Sequence, residues 1–403
     1  MTVHHVAVVG AGMAAARFAQ QFSARTGGAA RLTLYGAEPH APYNRTLLAD
    51  VLTGRYDEHA VGLPYGPDAE VRTGTRVTAV DPATRTLTLD DGSAARYDTL
   101  VLATGAAPVP PDLPGPHGAL PEGVHVLRTL ADCRGLADDA RRVTRAVVVG
   151  GGVLGVSAAR ALAALGLRTA IVHRAPHLME RHLDPAPAGA LRRHLEALGI
   201  AVHTGATARA LHGTGRVTAV ELPGGRHLRA GLVVFACGVR PRTGLARAAG
   251  LTVRRGVVVD DHLATSAPGV HAVGDCAEHR GIVHGLADPA WQQADVLAAR
   301  LSGADPRARY TGTRPHTRLT AGSLQLAAFG DPGTAAAGPR DVLSLADATR
   351  GTYKQLVLDG DRLASAVLLG DLTTAGDLIR AWRHDEPLPA DPSRLLVPEG
   401  AHP

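Results

Sequence analysis

One arrangement occurs twice in this chain and limits its fold more than any other feature. Residues 3–9 (VHHVAVV) run into Gly10-Ala11-Gly12-Met13-Ala14-Ala15, and a helix-forming stretch follows to about Ser23. Residues 145–149 repeat the pattern into Gly150-Gly151-Gly152-Val153-Leu154-Gly155, followed by SAARALAALG. Both read as strand, glycine-rich turn and helix. The first glycine makes the tight turn, and the second lets backbone approach a pyrophosphate. The third small residue lets helix lie close on strand, with the helix N-terminus facing the phosphates. A lone G-x-G-x-x-G is weak evidence, but each copy here has a second strand after its helix. The first continues through Arg31–Tyr35 to Glu38, 28 residues past Gly10. A carboxylate there can accept both hydroxyls of a ribose. Two such units in one chain point to two dinucleotides.

Composition removes several other classes. The 403 residues suffice for two or three domains, and 45% apolar against 20% charged residues describes a globular chain. No run approaches the roughly 18 apolar residues of a membrane span, and the N-terminus lacks the pattern of a signal peptide. A net charge of +5, with 3% aromatics and no basic run, gives no footing for nucleic acid. Cys133, Cys237 and Cys276 have no metal-ligand spacing, and their odd number argues against a disulfide framework. A reducing cytoplasm is expected, with each cysteine a small buried apolar residue. Lys354 is the only lysine, and the arginine excess carries no functional weight.

Other landmarks fall between and after the two turns. Tyr97–Gly105 is an apolar strand ending in the small-residue turn Thr104-Gly105, and Leu232–Gly238 repeats that pattern. Val270-His271-Ala272-Val273 leads into Gly274-Asp275. Residues 108–116 read as an interdomain crossing and 305–315 as a linker. Beyond them, further strands with an Asp359-Gly360 turn and then a helix are predicted, with a frayed last dozen residues.

Residues 1–380 resemble the FAD-dependent pyridine nucleotide-disulfide oxidoreductase superfamily, flavoprotein reductases with two dinucleotide sites and a glutathione-reductase-like fold. Within it the chain is similar to the flavin- and nicotinamide-binding half of the NAD(P)H nitrite reductase large subunit, and to electron-transfer subunits of assimilatory nitrate reductase. Several blocks carry this narrower likeness. They are Pro42-Tyr43-Asn44-Arg45 with LLADVLTG, and Leu178-Met179-Glu180-Arg181-His182-Leu183-Asp184. Gly274-Asp275-Cys276-Ala277-Glu278-His279 with GIVHGLADPAWQQADVLA is another, as are the late AAFGD, YKQLVLDGDRL and LLGDLTTAGDL.

The resemblance implies an α/β architecture of two Rossmann-like domains plus a small C-terminal α+β domain. Residues 1–106 and 241–308 would bind FAD, 107–240 would bind NAD(P)H, and 309–403 would form an interface. Carried over, Gly10, Gly12 and Ala15 serve the FAD pyrophosphate and Glu38 its adenosine ribose. Arg45 lies near the flavin, Thr104 and Gly105 pass the cofactor backbone, and Gly274 with Asp275 holds the ribityl-phosphate region. Gly150, Gly152 and Gly155, with Gly238, receive the nicotinamide dinucleotide. A helix starting near Pro289-Ala290-Trp291-Gln292 would point its N-terminus at the flavin, stabilising the charge that develops on reduction. Arg45 and Trp291 are thus the candidate catalytic residues.

Departures from the family pattern shape the expected function. Three scattered cysteines cannot ligate an iron–sulfur cluster, so the chain is not expected to reduce nitrite itself. Residues 39–56 contain no cysteine, which disfavours thiol chemistry at the flavin. Ser157 stands where many relatives have Glu. After Ala170-Ile171-Val172 comes His173-Arg174, with no acid for a ribose 2′-hydroxyl. Arg174 can accommodate a 2′-phosphate, so NADPH is expected to be accepted, with NADH not excluded. The expected function is an NAD(P)H dehydrogenase that passes electrons through FAD to a separate iron–sulfur or sirohaem protein in nitrite or nitrate assimilation. The alternatives are a ferredoxin or rubredoxin reductase, a component of a monooxygenase system, or a flavoprotein scaffold that binds without turnover. The C-terminal domain would bind this partner, or else only close the flavin site or make a homodimer.

Overall fold

A computed structural model describes residues 4–113, 121–314, 316–321, 324–331, 333, 340–347, 349–389 and 391–396. Residue 3 of the first expected strand, 114–116 of the Pro-rich crossing, Pro315 of the linker and 397–403 of the expected frayed end lie outside them. The chain divides into two compact units. One contains Met1–Leu47, Asp57–Ala107 and Val239–Pro315, and the other Leu48–Tyr56, Pro108–Gly238 and His316–Pro403. Among the described residues, no helix is long and apolar enough to cross a membrane.

The first unit is built on β1 (His5–Val9), α1 (Met13–Thr26) and β2 (Arg31–Tyr35). Its parallel sheet runs in the order Val270–Ala272, Thr99–Leu102, β1, β2, Ala69–Arg72. β1 is central, and Val6–Val9 are buried on both faces, as a continuous Val-rich run in a covered parallel sheet should be. Phe18 and Phe22, one turn apart on α1, stack at 5.5 Å and enter the same core. The polar side of α1 is tied to the helix Ala287–Leu301 by Arg17, whose Nε and Nη2 donate to the two oxygens of Asp295 at 2.6 and 2.9 Å.

The second unit repeats this plan with β3 (Arg145–Val149), α2 (Val153–Ala164) and β4 (Arg168–Val172). Its parallel sheet runs Ala201–His203, β4, β3, Leu232–Phe235, Val124–Val126. The correspondence extends beyond the glycine turns. Each unit also carries a three-stranded antiparallel sheet inserted before its Leu-Val-rich strand: Val77–Asp81, Thr86–Leu89 and Ala94–Arg96 between Ala69–Arg72 and Thr99–Leu102 in the first, and Ala210–His212, Ala219–Leu222 and Arg226–Arg229 between Ala201–His203 and Leu232–Phe235 in the second.

The two tight turns depend on glycine for the same reason. Gly10 has φ +110° and Gly150 φ +117°, and a Cβ would stand 2.2 Å from the Ala103 carbonyl oxygen or 2.3 Å from that of Ala236. Any side chain there meets the backbone that follows the neighbouring strand.

Within the second unit, His316–Ala321, Leu324–Phe329, Arg362–Leu369, Thr352–Asp359 and Asp341–Asp347 form an antiparallel sheet in that order. The hairpin turns at Asp359-Gly360, as the sequence predicts. The helix Ala375–His384 packs Leu378 and Trp382 against Phe329, Leu356 and Leu368. Lys354 is buried in this sheet. It pairs with Asp371 at 2.7 Å and donates to the Leu396 carbonyl at 2.8 Å.

Candidate dinucleotide-binding sites

In the first unit the residues singled out from sequence gather around the start of α1. Gly12 is its N-cap, no side chain caps the helix, and no acid occupies its first turn. By contrast, the helix Leu130–Ala140 has a complete capping box made by Thr129 and Asp132. The uncapped N–H groups of α1 form an anion site by geometry and dipole. Ala15 is fully buried, the small residue that lets helix lie on strand. Gly10 abuts Ala103 and Thr104, and a Cβ on Gly274 would meet the Ala14 Cβ at 2.9 Å. The Gly274-Asp275 turn is therefore seated on the first turn of α1, fastened by the Gly274 N–H donating to Gln293 Oε1 at 2.8 Å. Thr104 Oγ1 donates to the Arg242 carbonyl at 2.8 Å, and Arg242 N–H to the Gly105 carbonyl at 2.9 Å.

Arg45 stands at the same turn. Its Nε is 3.9 Å from where a Cβ of Gly12 would be, so the guanidinium adds its charge to the helix terminus. It also pairs with Glu38 and lies 4.9 Å from the centre of the Tyr43 ring. Tyr43 Oη donates to the other Glu38 oxygen at 2.6 Å. The residue expected at the ribose and the one expected at the flavin are thus direct partners. This arrangement, a backbone cradle with a cation and its paired carboxylate beside it, fits a dinucleotide pyrophosphate.

The helix expected near Pro289 begins at Ala287, so half-buried Trp291 lies in its second turn. Asp288 occupies the first turn, where its charge offsets part of the helix dipole. Gln292 Nε2 donates to Asp288 at 3.3 Å and its Oε1 accepts from Thr313 at 3.0 Å. Tyr310 Oη lies 2.8 Å from Thr313 Oγ1 and 3.3 Å from His284 Nε2. Composition and spacing gave no sign of this chain, which joins residues distant in sequence.

In the second unit Gly152 is the N-cap of α2, again with no side-chain cap and no acid in the first turn. Nothing lies within 4 Å of a Cβ position at Gly152, which leaves room for an anion. A Cβ on Gly155 would come within 1.9 Å of the Gly150 carbonyl oxygen, so this third glycine is a close-packing requirement. Cys237, beside the exposed Gly238, donates its thiol to the Val149 carbonyl at 3.3 Å, which brings this turn to the end of β3. Arg174 is exposed just past the end of β4. This cradle fits a second dinucleotide.

His173 and Glu180 complete the edge of this site. The Gly151 N–H donates to His173 Nδ1 at 3.0 Å, and His173 Nε2 lies 2.9 Å from Glu180 Oε2. Burial pushes the Glu180 carboxyl up, but its own backbone N–H, His173 and Arg181 outweigh this and leave it below its ordinary value. The sequence offered Glu180 as part of a family block, without a role.

None of the three cysteines is in a disulfide; Cys133 and Cys276 are buried as expected, but Cys237 is exposed, because it lies in the turn after Leu232–Phe235 and not in the sheet itself. Burial pushes the Cys276 thiol up, which keeps it from serving as a thiolate. A different feature escaped sequence spacing altogether. Sheet register brings His212, Glu221 and His227 together from three strands, with ligand atoms within 4.8 Å of one another.

Comparison with known proteins gives matches along most of the chain. The family described as pyridine nucleotide-disulphide oxidoreductase matches residues 4–295, and the rubredoxin NAD+ reductase C-terminal domain matches 315–384. The chain is 35% identical over 369 residues to nitrite reductase [NAD(P)H] of Bacillus subtilis, covering 90% of this chain and 45% of that protein. It is 30% identical to the assimilatory nitrate reductase electron transfer subunit of the same organism, covering 100% of this chain and 52% of that one. The chain thus spans about half the length of these curated relatives. Among solved structures, the ferredoxin reductase for the CYP199A2 system of Rhodopseudomonas palustris superposes with a TM-score of 0.85 at 28% identity, covering 97% of this chain and 96% of that one.

Proposed function

The chain belongs to the pyridine nucleotide-disulphide oxidoreductase family, and from that premise we propose that it carries electrons from NAD(P)H through FAD to a separate redox protein, in nitrite or nitrate assimilation. Members of the family use FAD and NAD(P)H, and this chain is an NAD(P)H oxidoreductase. One observation carries the reading: two uncapped helix N-termini, each behind an obligatory glycine turn, in a chain without a cysteine pair.

FAD supplies hydride acceptance and electron release, so the protein's task is binding and orientation. In the domain spanning 1–106 and 241–308, the N–H groups of α1 and Arg45 hold the pyrophosphate. Glu38 accepts from the adenosine ribose, Thr104 and Gly105 line the cofactor chain, Gly274 and Asp275 take the ribityl-phosphate region, and Trp291 flanks the flavin. In residues 107–240, Gly150, Gly152, Gly155, Arg174 and Gly238 receive the nicotinamide dinucleotide. Residues 309–403 form the interface for a partner or a second copy. The names of the Bacillus relatives support the assimilatory role, and free thiols suit a reducing cytoplasm.

A second reading is favoured by the match of residues 315–384 to the rubredoxin reductase C-terminal domain and by the likeness to a ferredoxin reductase. On that reading the acceptor is a ferredoxin or rubredoxin serving another pathway. Anaerobic mixing tests the common part: NAD(P)H should bleach the yellow flavoprotein rapidly. Side-by-side transfer from the reduced chain to a sirohaem nitrite reductase module, a ferredoxin and a rubredoxin then separates the two readings. The fastest transfer to the sirohaem module supports the first, and transfer only to a ferredoxin or rubredoxin supports the second.

A further inference from the structure

A dinucleotide unit usually meets the adenosine ribose with an acid at the end of its second strand. Here that place, after Val172, is held by His173, which is buried. Its hydrogen bonds determine which nitrogen carries the proton. Nδ1 accepts from the Gly151 N–H, so in the neutral ring Nε2 bears the hydrogen and donates it to Glu180. The imidazole therefore acts as a spacer. It takes the glycine loop's N–H on one edge and holds a carboxylate on the other.

The segment carrying Glu180 is fixed to the same loop by separate contacts. Met179 N–H donates to the Gly151 carbonyl at 2.9 Å. Met179 is fully buried and has φ +53°, a conformation that a non-glycine residue adopts only under constraint from its surroundings. A Cβ on Gly151 would lie 2.5 Å from Leu178 Cδ2 and 2.8 Å from His173 Cγ, so loop, strand end and turn are packed without slack. Glu180 keeps 31% of its side chain exposed, with one oxygen on His173. The carboxylate is thereby joined through His173 to the glycine loop of the cradle.

Resting on the reading that the second glycine turn holds the nicotinamide dinucleotide, we propose that Glu180, positioned by His173, reads the 2′ position of the adenosine ribose and makes this chain prefer NADH to NADPH. The carboxylate accepts a hydrogen bond from a 2′-hydroxyl and repels a 2′-phosphate. Arg174, on the exposed side, works against this preference and becomes dominant once Glu180 loses its charge.

Calorimetric titration of the oxidised, FAD-loaded full chain with NAD+ and with NADP+ tests the assignment without turnover. Wild type should bind NAD+ at least tenfold more tightly. Glu180→Gln keeps the shape and can still accept from His173. It should shift the NAD+/NADP+ affinity ratio about tenfold or more toward NADP+. His173→Leu should shift the ratio in the same direction and by less, because the carboxylate remains but is no longer held. Flavin content and thermal midpoint, measured alongside, identify a folding defect. A ratio unchanged in Glu180→Gln with full flavin content overturns the proposal, as does a wild type that prefers NADP+. A chain whose flavin is bleached by neither NADH nor NADPH fails earlier, at the functional reading itself.

Discussion

Arg45 is ion-paired with Glu38, the carboxylate that the sequence places at the adenosine ribose of the first cofactor. Tyr43 holds the remaining oxygen at 2.6 Å, so Glu38 is engaged from both sides. The guanidinium thereby faces both the helix terminus and the carboxylate. Replacing Arg45 by Met should remove a charge-assisted contact worth about 1.5–3 kcal/mol, a roughly tenfold or greater weakening of FAD binding. Glu38→Gln should weaken binding as well. Because the two side chains are partners, the double variant should lose less than the sum of the single losses. Flavin fluorescence on dilution of the purified variants measures this. Strict additivity would mean that the pair does not act on the cofactor as a unit.

The second glycine turn allows fold and binding to be separated. At Gly150 a Cβ would be 2.3 Å from the Ala236 carbonyl, so Gly150→Ala forces two paired strands apart. It should cost at least about 3 kcal/mol and lower the yield of folded protein. Gly152 has ordinary extended backbone (φ −77°, ψ −173°) and no neighbour within 4 Å of a Cβ. Gly152→Ala should therefore change stability by no more than about 0.5 kcal/mol. Its methyl nevertheless enters the space left for the pyrophosphate, and nicotinamide-nucleotide affinity should fall clearly. Melting curves and nucleotide titration of both variants check the contrast.

These glycines show what is legible in a sequence and why. A turn that requires φ above +100° or a contact below 3 Å admits only glycine, so Gly10, Gly150 and Gly155 carry their structural role in their identity and spacing. The strand-end repeat, Thr99–Leu102 matching Leu232–Phe235, was readable because a doubly covered parallel strand needs an unbroken apolar run. The small antiparallel sheets were not readable as a repeat, because short half-exposed strands tolerate many residues. The role of Glu180 was hidden for a different reason. It depends on a hydrogen bond passed through an imidazole from a residue seven positions earlier, and no spacing rule encodes that. Lys354, unremarkable as a lone lysine, gained meaning only through burial.

Lys354 is 3% exposed, and its partner Asp371 is held at about 2. Burial alone would push that carboxyl up, but hydrogen bonds from Lys354 and Thr373 outweigh it. A carboxyl depressed below its ordinary 3.8 stabilises the fold above that pH and loses the contribution as pH falls toward 2. The shift corresponds to about 2 kcal/mol. Lys354→Met keeps the apolar stem but leaves Asp371 and the Leu396 carbonyl without their partner, at a cost of about 3 kcal/mol at neutral pH. Urea unfolding of the full chain at pH 7 and pH 3 should show the variant's deficit shrinking in acid. A deficit of the same size at both pH values would argue that lost packing, not the charge pair, is responsible.

The final prediction concerns where the electrons go. The sequence contains three cysteines, and none of them is in a disulfide. A cysteine-ligated cluster cannot be assembled from them. On the proposed reading, the reduced flavin passes its electrons directly to a docked acceptor. The net charge of +5 favours an acidic partner through steering that salt would screen. The purified chain should oxidise NAD(P)H quickly with ferricyanide, slowly with oxygen, and without nitrite consumption. Adding a protein with an iron–sulfur or sirohaem centre should start nitrite loss if the assimilatory reading is right, and the rate should fall as salt rises. Stoichiometric nitrite loss with the chain, FAD and NAD(P)H alone would place the second half-reaction within this polypeptide. Efficient reduction of a ferredoxin, with no nitrite loss under any pairing, would favour the ferredoxin-reductase reading instead.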